Sequence, residues 1–200
     1  MRVIAGRFKG RRLKAPTWEG VRPTSDKLRE TLFNIVATRV EGARVLDGYA
    51  GTGAVGIEAL SRGAAHVTFV ERDRRATTLV AANLALCGVG QGYTIEQGDV
   101  AEVLRRTPEE RAYDLVLLDP PYDADPDTVT QALDAAARRM TAGGLLVLER
   151  ASRREPPTPA LLQRVRDVAS GDSTLTFFMR RPESSGGAGW SADPDGSAGR

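Results

Sequence analysis

The sequence predicts an α/β fold in which a mostly parallel β-sheet is covered by helices on both faces. Short apolar runs alternate with helix-prone segments from residue 43 onward, the pattern of strand–helix–strand units. The run at residues 115–118 is continuously apolar, as a strand buried on both faces must be. Acidic residues and glycines fall immediately after several runs, at the sheet edge where ligands bind in such folds.

In chain order, TSDKLRETLFNIVATRV places Leu28, Leu32, Ile35 and Val36 at helical spacing. Thr24 is its expected cap, and Asp26 sits in the first turn, where the helix dipole favours a negative charge. Strands are expected at ARVLDGY, AHVTFVE, YTIEQGD, YDLVLLD, GLLVLER and STLTFFM. Helices are expected between them, at AVGIEALSR, RRATTLVAANLAL, VAEVLRR and VTQALDAAARRM.

The chain of 200 residues suits a single domain. No stretch approaches the roughly 18 apolar residues of a membrane span. The opening MRVIAGRFKGRR lacks the apolar core of a secretion signal, so a cytoplasmic protein is expected. One cysteine, Cys87, excludes an internal disulfide, and with the single histidine, His66, it cannot make an ordinary zinc site, so no metal is expected.

Charge is uneven. Residues 1–29 hold nine Lys or Arg against Glu19 and Asp26, a local +7 in a chain whose net charge is +2. Such a segment suits a phosphate backbone. Three regions result: a basic RNA-binding segment at 1–24, a domain at 25–181, and a tail at 182–200 rich in Gly, Ser, Pro and Asp and expected to be disordered, with Trp190 an incidental aromatic.

The first strand leads into Asp47-Gly48-Tyr49-Ala50-Gly51-Thr52-Gly53-Ala54-Val55-Gly56, a loop whose backbone N–H groups can approach a ligand at a helix N-terminus. Gly51, Gly53 and Gly56 fit G-x-G-x-x-G, and Glu71 ends the next strand at the distance of a ribose-binding carboxylate. Asp47 before the loop would repel a pyrophosphate but attract a cation. S-adenosylmethionine (AdoMet), with a sulfonium, an amino group and no phosphate, fits better than a dinucleotide. Asp99, ending the third strand, is placed to accept a hydrogen bond from the adenine amino group.

After the fourth strand comes Asp119-Pro120-Pro121-Tyr122. An aromatic amine is a poor nucleophile because its lone pair is delocalised. Asp119 and the Pro120 carbonyl can accept its two hydrogens and hold the nitrogen in line with a methyl donor. The prolines stiffen the loop, and Tyr122 can stack on the base, an interaction worth roughly 1–3 kcal/mol. Methylation at a pyrimidine carbon needs a cysteine nucleophile, but Cys87 reads as a buried small apolar residue. His66 reads as structural.

These motifs, VLDGYAGTGAVGIEALSRGA, VERD and LVLLDPPY, resemble those of class I AdoMet-dependent amino-methyltransferases. RVIAGRFKGRRLKAP followed by RPTSDKLRETLFNIV closely resembles the N-terminal motif of the RsmD family, which methylates N2 of one guanine in small-subunit (16S) ribosomal RNA. The resemblance covers residues 2 to 181. It implies a Rossmann-like sheet of seven strands with the last, near 174–179, antiparallel. Matching motifs assign Asp47, Gly51, Gly53, Glu71 and Asp99 to AdoMet, and Asp119, Pro120 and Tyr122 to the guanine. A ribosomal assembly intermediate is the implied substrate. Gly48-Tyr49 stands where the family usually has a larger apolar residue and Phe, which would loosen packing beside the cofactor.

No stretch remains for a DNA-recognition domain, so the basic segment, through Arg7, Lys9, Arg11, Arg12 and Arg22, would bind phosphates of a prefolded RNA. A monomer is expected, since no extra apolar stripe asks for a partner. Three rivals remain: an adenine-N6 methyltransferase sharing the same loop, an NAD-dependent oxidoreductase using the glycine loop, and a non-catalytic RNA-binding protein. Asp47 disfavours the second, and an intact Asp119–Tyr122 loop the third.

Overall fold

A computed structural model describes residues 1–18 and 25–181. Helix α1 (Asp26–Ile35) precedes strand β1 (Arg44–Gly48), followed by α2 (Ala54–Ser61), β2 (His66–Glu71), α3 (Arg74–Leu86), β3 (Tyr93–Gln97), α4 (Val100–Arg106), β4 (Tyr113–Leu118), α5 (Pro126–Ala137), β5 (Met140–Ala151), β6 (Leu162–Ser170) and β7 (Ser173–Arg180). The strands form one seven-stranded sheet in the order β3-β2-β1-β4-β5-β7-β6. β3, β2, β1, β4 and β5 run parallel, while β7 is antiparallel to both neighbours. The expected class I architecture is present.

Both faces of the sheet are buried, which explains the unbroken apolarity of β4. Leu115 and Leu117 join a core with Val45, Phe69, Leu28 of α1, Ile57 of α2 and Val80 of α3. Val116 and Leu118 point the other way, into a core with Leu46, Leu146, Leu104 of α4 and Leu133 of α5. Each such side chain contributes about 1.5–3 kcal/mol on burial.

Several boundaries differ from expectation. Ser25, not Thr24, caps α1, its hydroxyl accepting from Leu28 N at 3.1 Å; Thr24 lies outside the described residues. Helix α5 starts at Pro126, three residues earlier than its apolar pattern, because Asp125 caps it and proline suits the first helical position. It stops at Ala137, and Met140 already belongs to β5. Strand β6 has no counterpart among the expected strands. It is an edge strand exposed from Gln163 to Arg166, so its sequence carries no apolar run.

The first 13 residues form a short hairpin, with Val3 N bonded to Arg11 O and Leu13 N to Met1 O. Val3 and Leu13 enter the core beside α1–α3. Polar clips fix the hairpin to α2: the buried Glu58 carboxylate accepts from Ile4 N (2.7 Å) and Ala5 N (3.0 Å), and Phe8 N donates to Ser61 Oγ (2.9 Å). At Gly6 (φ +77°) a side chain would be strained and would overlap the Ser61 carbonyl, so only glycine fits. Arg29, counted with the basic surface above, is instead fully buried. Its Nη2 donates to Asp26 Oδ1 (2.6 Å) and Arg2 O (2.8 Å), bracing α1 against the hairpin.

Candidate active site

Strand order reverses between β1 and β4, and a cleft of about 710 Å³ opens at the carboxyl ends of the strands there. It brings together Asp47, Gly51, Glu71, Asp119, Pro120 and Tyr122, six of the eight residues expected to hold cofactor or base. Gly53 and Asp99 do not line it. Gly53 turns the chain into α2 at φ +75°, backed by Val80 and Phe69. Asp99 caps α4, accepting from Ala101 N (2.9 Å) and Glu102 N (3.2 Å).

Two carboxylates bond to the backbone of the glycine loop. Glu71 Oε2 accepts from Gly51 N (3.0 Å) and its Oε1 from Asp73 N (2.9 Å), joining the loop after β1 to the turn after β2. Asp47 is buried, and its Oδ2 accepts from Gly56 N (2.8 Å). A side chain at Gly56 would overlap the Phe69 ring and crowd Asp47, so this glycine lets helix and sheet approach. Burial pushes the Asp47 carboxyl up to about 7; the Gly56 N–H pulls it down in part, and the nearby Glu71 charge pushes it up. A desolvated carboxyl of this kind fits a cationic ligand and opposes a pyrophosphate, and the loop leaves room for a ligand against its backbone. The residues present therefore fit AdoMet.

The expected looseness at Gly48-Tyr49 is not found at Gly48, where Leu118 fills the space a side chain would need. Tyr49 takes the left-handed conformation (φ 62°) and lines the cleft. Its phenol is pushed up to about 12, chiefly by burial and then by the Asp99 charge, with Arg72 opposing.

On the other side of the cleft, Asp119 N donates to Gly48 O (3.3 Å) and Ala124 N to Pro121 O (2.9 Å), so Asp119 stays tied to β1 and the chain then turns over Pro121–Ala124. The Tyr122 hydroxyl lies 2.7 Å from Ser173 Oγ and 3.3 Å from Glu149 Oε1, and Ser173 Oγ donates to Glu149 Oε1 at 3.1 Å. Glu149 and Ser173 line the same cleft, and neither is among the residues expected from the sequence. A signal exists for Glu149: like Asp47, Glu71 and Asp119, it is an acidic residue next to an apolar strand run. Trp18 also lines the cleft, its ring stacked on Arg75 at 5.1 Å.

The basic residues divide. Lys9, Arg11 and Arg12 are exposed on the hairpin. Arg7 is exposed too, but its Nη2 donates to Leu60 O (3.0 Å) and its guanidinium lies 5.3 Å from the Phe8 ring centre. Arg22 lies outside the described residues, as do Trp190 and the tail. His66 bridges β2 and β3 through Thr94 Oγ1 (3.0 Å), and Cys87 is buried, both in structural roles. Among the described residues no cluster of His, Cys, Asp and Glu could hold a metal, and no helix is long and apolar enough to cross a membrane.

The chain is 34% identical over 183 residues to the protein YlbH of Bacillus subtilis (strain 168), covering 90% of this chain and all of that one. It is 40% identical over 124 residues to "Ribosomal RNA small subunit methyltransferase D" of Haemophilus influenzae, a match spanning 61% of this chain and 64% of that one. The solved structure of yhhF from Escherichia coli superposes with a TM-score of 0.79 at 28% identity, over 92% of this chain and 99% of that one. The family model described as "Conserved hypothetical protein 95" matches residues 1–179. The match over nearly the whole chain, with these relatives, shows that the chain belongs to that family, the RsmD family of methyltransferases.

Proposed function

We propose that this protein transfers a methyl group from AdoMet to the exocyclic N2 amine of a guanine in small-subunit ribosomal RNA, acting as a cytoplasmic monomer on an assembly intermediate. One observation carries the reading: a single cleft is lined both by the carboxylates and glycine loop suited to a cationic nucleoside and by the Asp119–Tyr122 loop suited to a planar amine. The name of the Haemophilus relative supports ribosomal RNA as the substrate class.

Asp47, Gly51 and Glu71 would hold AdoMet, which when bound supplies an electrophilic methyl group. Gly53 and Asp99 would act indirectly, Gly53 by turning the loop and Asp99 by fixing α4 beside Tyr49. Asp119 and the Pro120 carbonyl would accept the two amine hydrogens, orienting the nitrogen lone pair and raising its electron density. Tyr122 would stack on the base. The methylated nitrogen then loses a proton, which needs no strong base because the cation is acidic. Lys9, Arg11 and Arg12, together with Arg7 and Arg22, would bind the RNA backbone.

The test is nucleoside mass spectrometry of ribosomal RNA from cells lacking the gene, complemented with wild type or with Asp119→Ala. N2-methylguanosine should fall at one small-subunit site and return only with wild type. Loss of N6-methyladenosine instead would establish the adenine reading, and no change in any methylated nucleoside would end the catalytic one.

A further inference from the structure

Strands β4 and β5 pair in parallel with Leu118 opposite Leu148. One residue further along stand Asp119, just past the end of β4, and Glu149, still within β5, so the two acidic residues follow neighbouring positions of adjacent strands, whose backbones lie about 5 Å apart. Both line the main cleft and also the small apolar recess beneath it. Glu149 is 8% exposed, and the hydroxyls of Tyr122 and Ser173 both converge on its Oε1.

A second carboxylate is not needed to hold an amine that Asp119 and Pro120 already hold. It discriminates between bases. Guanine carries an N1–H donor next to its exocyclic amine, so its edge presents three hydrogens in a row. Adenine carries an unprotonated N1 next to its amine, and that lone pair would face a negative oxygen. We propose that Glu149 accepts the N1–H of the target base and is the residue that makes this site select guanine over adenine. The proposal rests on the reading above, since it assumes that Asp119 receives the amine. Tyr122 and Ser173 are positioning residues in it: their hydroxyls hold the Glu149 carboxylate and tie the stacking ring to the acceptor, so that the face and edge of the base are recognised together.

The test uses 2-aminopurine, which keeps the N2 amine of guanine but has an unprotonated N1. Small-subunit particles are reconstituted with guanine or 2-aminopurine at the site located by mass spectrometry, and methylation is followed with full-length wild type and with Glu149→Gln. A carboxamide keeps an oxygen for the two hydroxyls and can turn its NH₂ toward a lone pair. Wild type should prefer guanine by about 10-fold or more. Glu149→Gln should bring the two substrates within about 3-fold, mainly through slower guanine turnover, with AdoMet affinity unchanged. If Glu149→Gln keeps the full preference, or if wild type methylates both bases equally, Glu149 is not the selector, while the proposed reaction stands. If wild type methylates neither base, the proposed reaction itself fails. Ser173→Thr, which retains the hydroxyl, should preserve the preference that Ser173→Ala weakens; equal preference in both would remove the positioning role.

Discussion

Asn83 on α3 bonds the hairpin segment and the cofactor loop at once: its Oδ1 accepts from Lys14 N at 2.8 Å, and its Nδ2 donates to Thr52 O at 2.9 Å and to Lys14 O at 3.2 Å. The side chain is fully buried, so each of these bonds is costly to lose. The segment proposed to meet RNA and the loop proposed to meet AdoMet therefore share a single amide. Asn83→Ala should destabilise the fold by about 2–3 kcal/mol and weaken both ligands, as read by urea unfolding and by separate titrations with AdoMet and RNA. Weakening of only one would show that the amide does not connect them.

The exposed cations should behave differently. Replacing Lys9, Arg11 and Arg12 together with Ala leaves the Glu58 and Ser61 clips between hairpin and domain in place, because those clips are made by backbone N–H groups of other residues. RNA binding should weaken, and the slope of log affinity against log salt should flatten by about 2–3, one unit or slightly less for each phosphate that no longer has a cation beside it. AdoMet affinity should not move. Arg7→Ala should also cost stability, because Arg7 is bonded to the end of α2.

Asp47 predicts a pH dependence. Its folded pKa, about 7, is raised above the ordinary 3.8, so between those values the folded protein holds a proton that the unfolded chain has released. Its stabilising contribution is complete below pH 4 and is lost as pH rises through 7. A cationic ligand reverses the preference, so AdoMet binding at pH 6 should release close to one proton and tighten with pH up to about 7. Calorimetry in two buffers of different ionisation enthalpy measures that release. Asp47→Asn should abolish it and should gain relative stability at pH 8; an unchanged proton release would exclude Asp47 as its source.

Asp99 invites a separation of roles. Asp99→Ala should cost about 1 kcal/mol through loss of the α4 cap. Asp99→Ser keeps a capping oxygen without the charge and should restore most of that stability. With Asp99 acting through the cap, AdoMet affinity should fall in Asp99→Ala and recover in Asp99→Ser; an equal fall in both variants would show instead that the Asp99 carboxylate itself bonds the adenine, as the sequence suggests.

How legible the fold is depends on how each strand is covered. β1, β2 and β4 lie inside the sheet with both faces buried, so apolarity marks them wherever they occur. β6 has one neighbour and an exposed run of Gln, Arg, Val and Arg, so only its pairing with β7 reveals it. The site is legible where chemistry sits next to a strand in sequence, as at Asp47, Glu71 and Asp119. It is hidden where residues are joined only by tertiary structure. Glu58 reads as an ordinary helix glutamate until Ile4 and Ala5 are seen on its oxygens, and Arg29 reads as a surface cation until its burial is known. Ser173 acquires meaning only because β7 inserts between β5 and β6.

The clips that hold the hairpin run against the direction of translation. Ile4, Ala5 and Phe8 leave the ribosome 53 or 54 residues before Glu58 and Ser61, and Lys14 leaves it 69 residues before Asn83. At roughly 5–20 residues per second, the nascent hairpin segment waits roughly 3 to 14 seconds for its anchors. The hairpin therefore docks only after the glycine loop and α2 have emerged, and its cationic surface is not fixed in place until the chain has been made as far as Asn83.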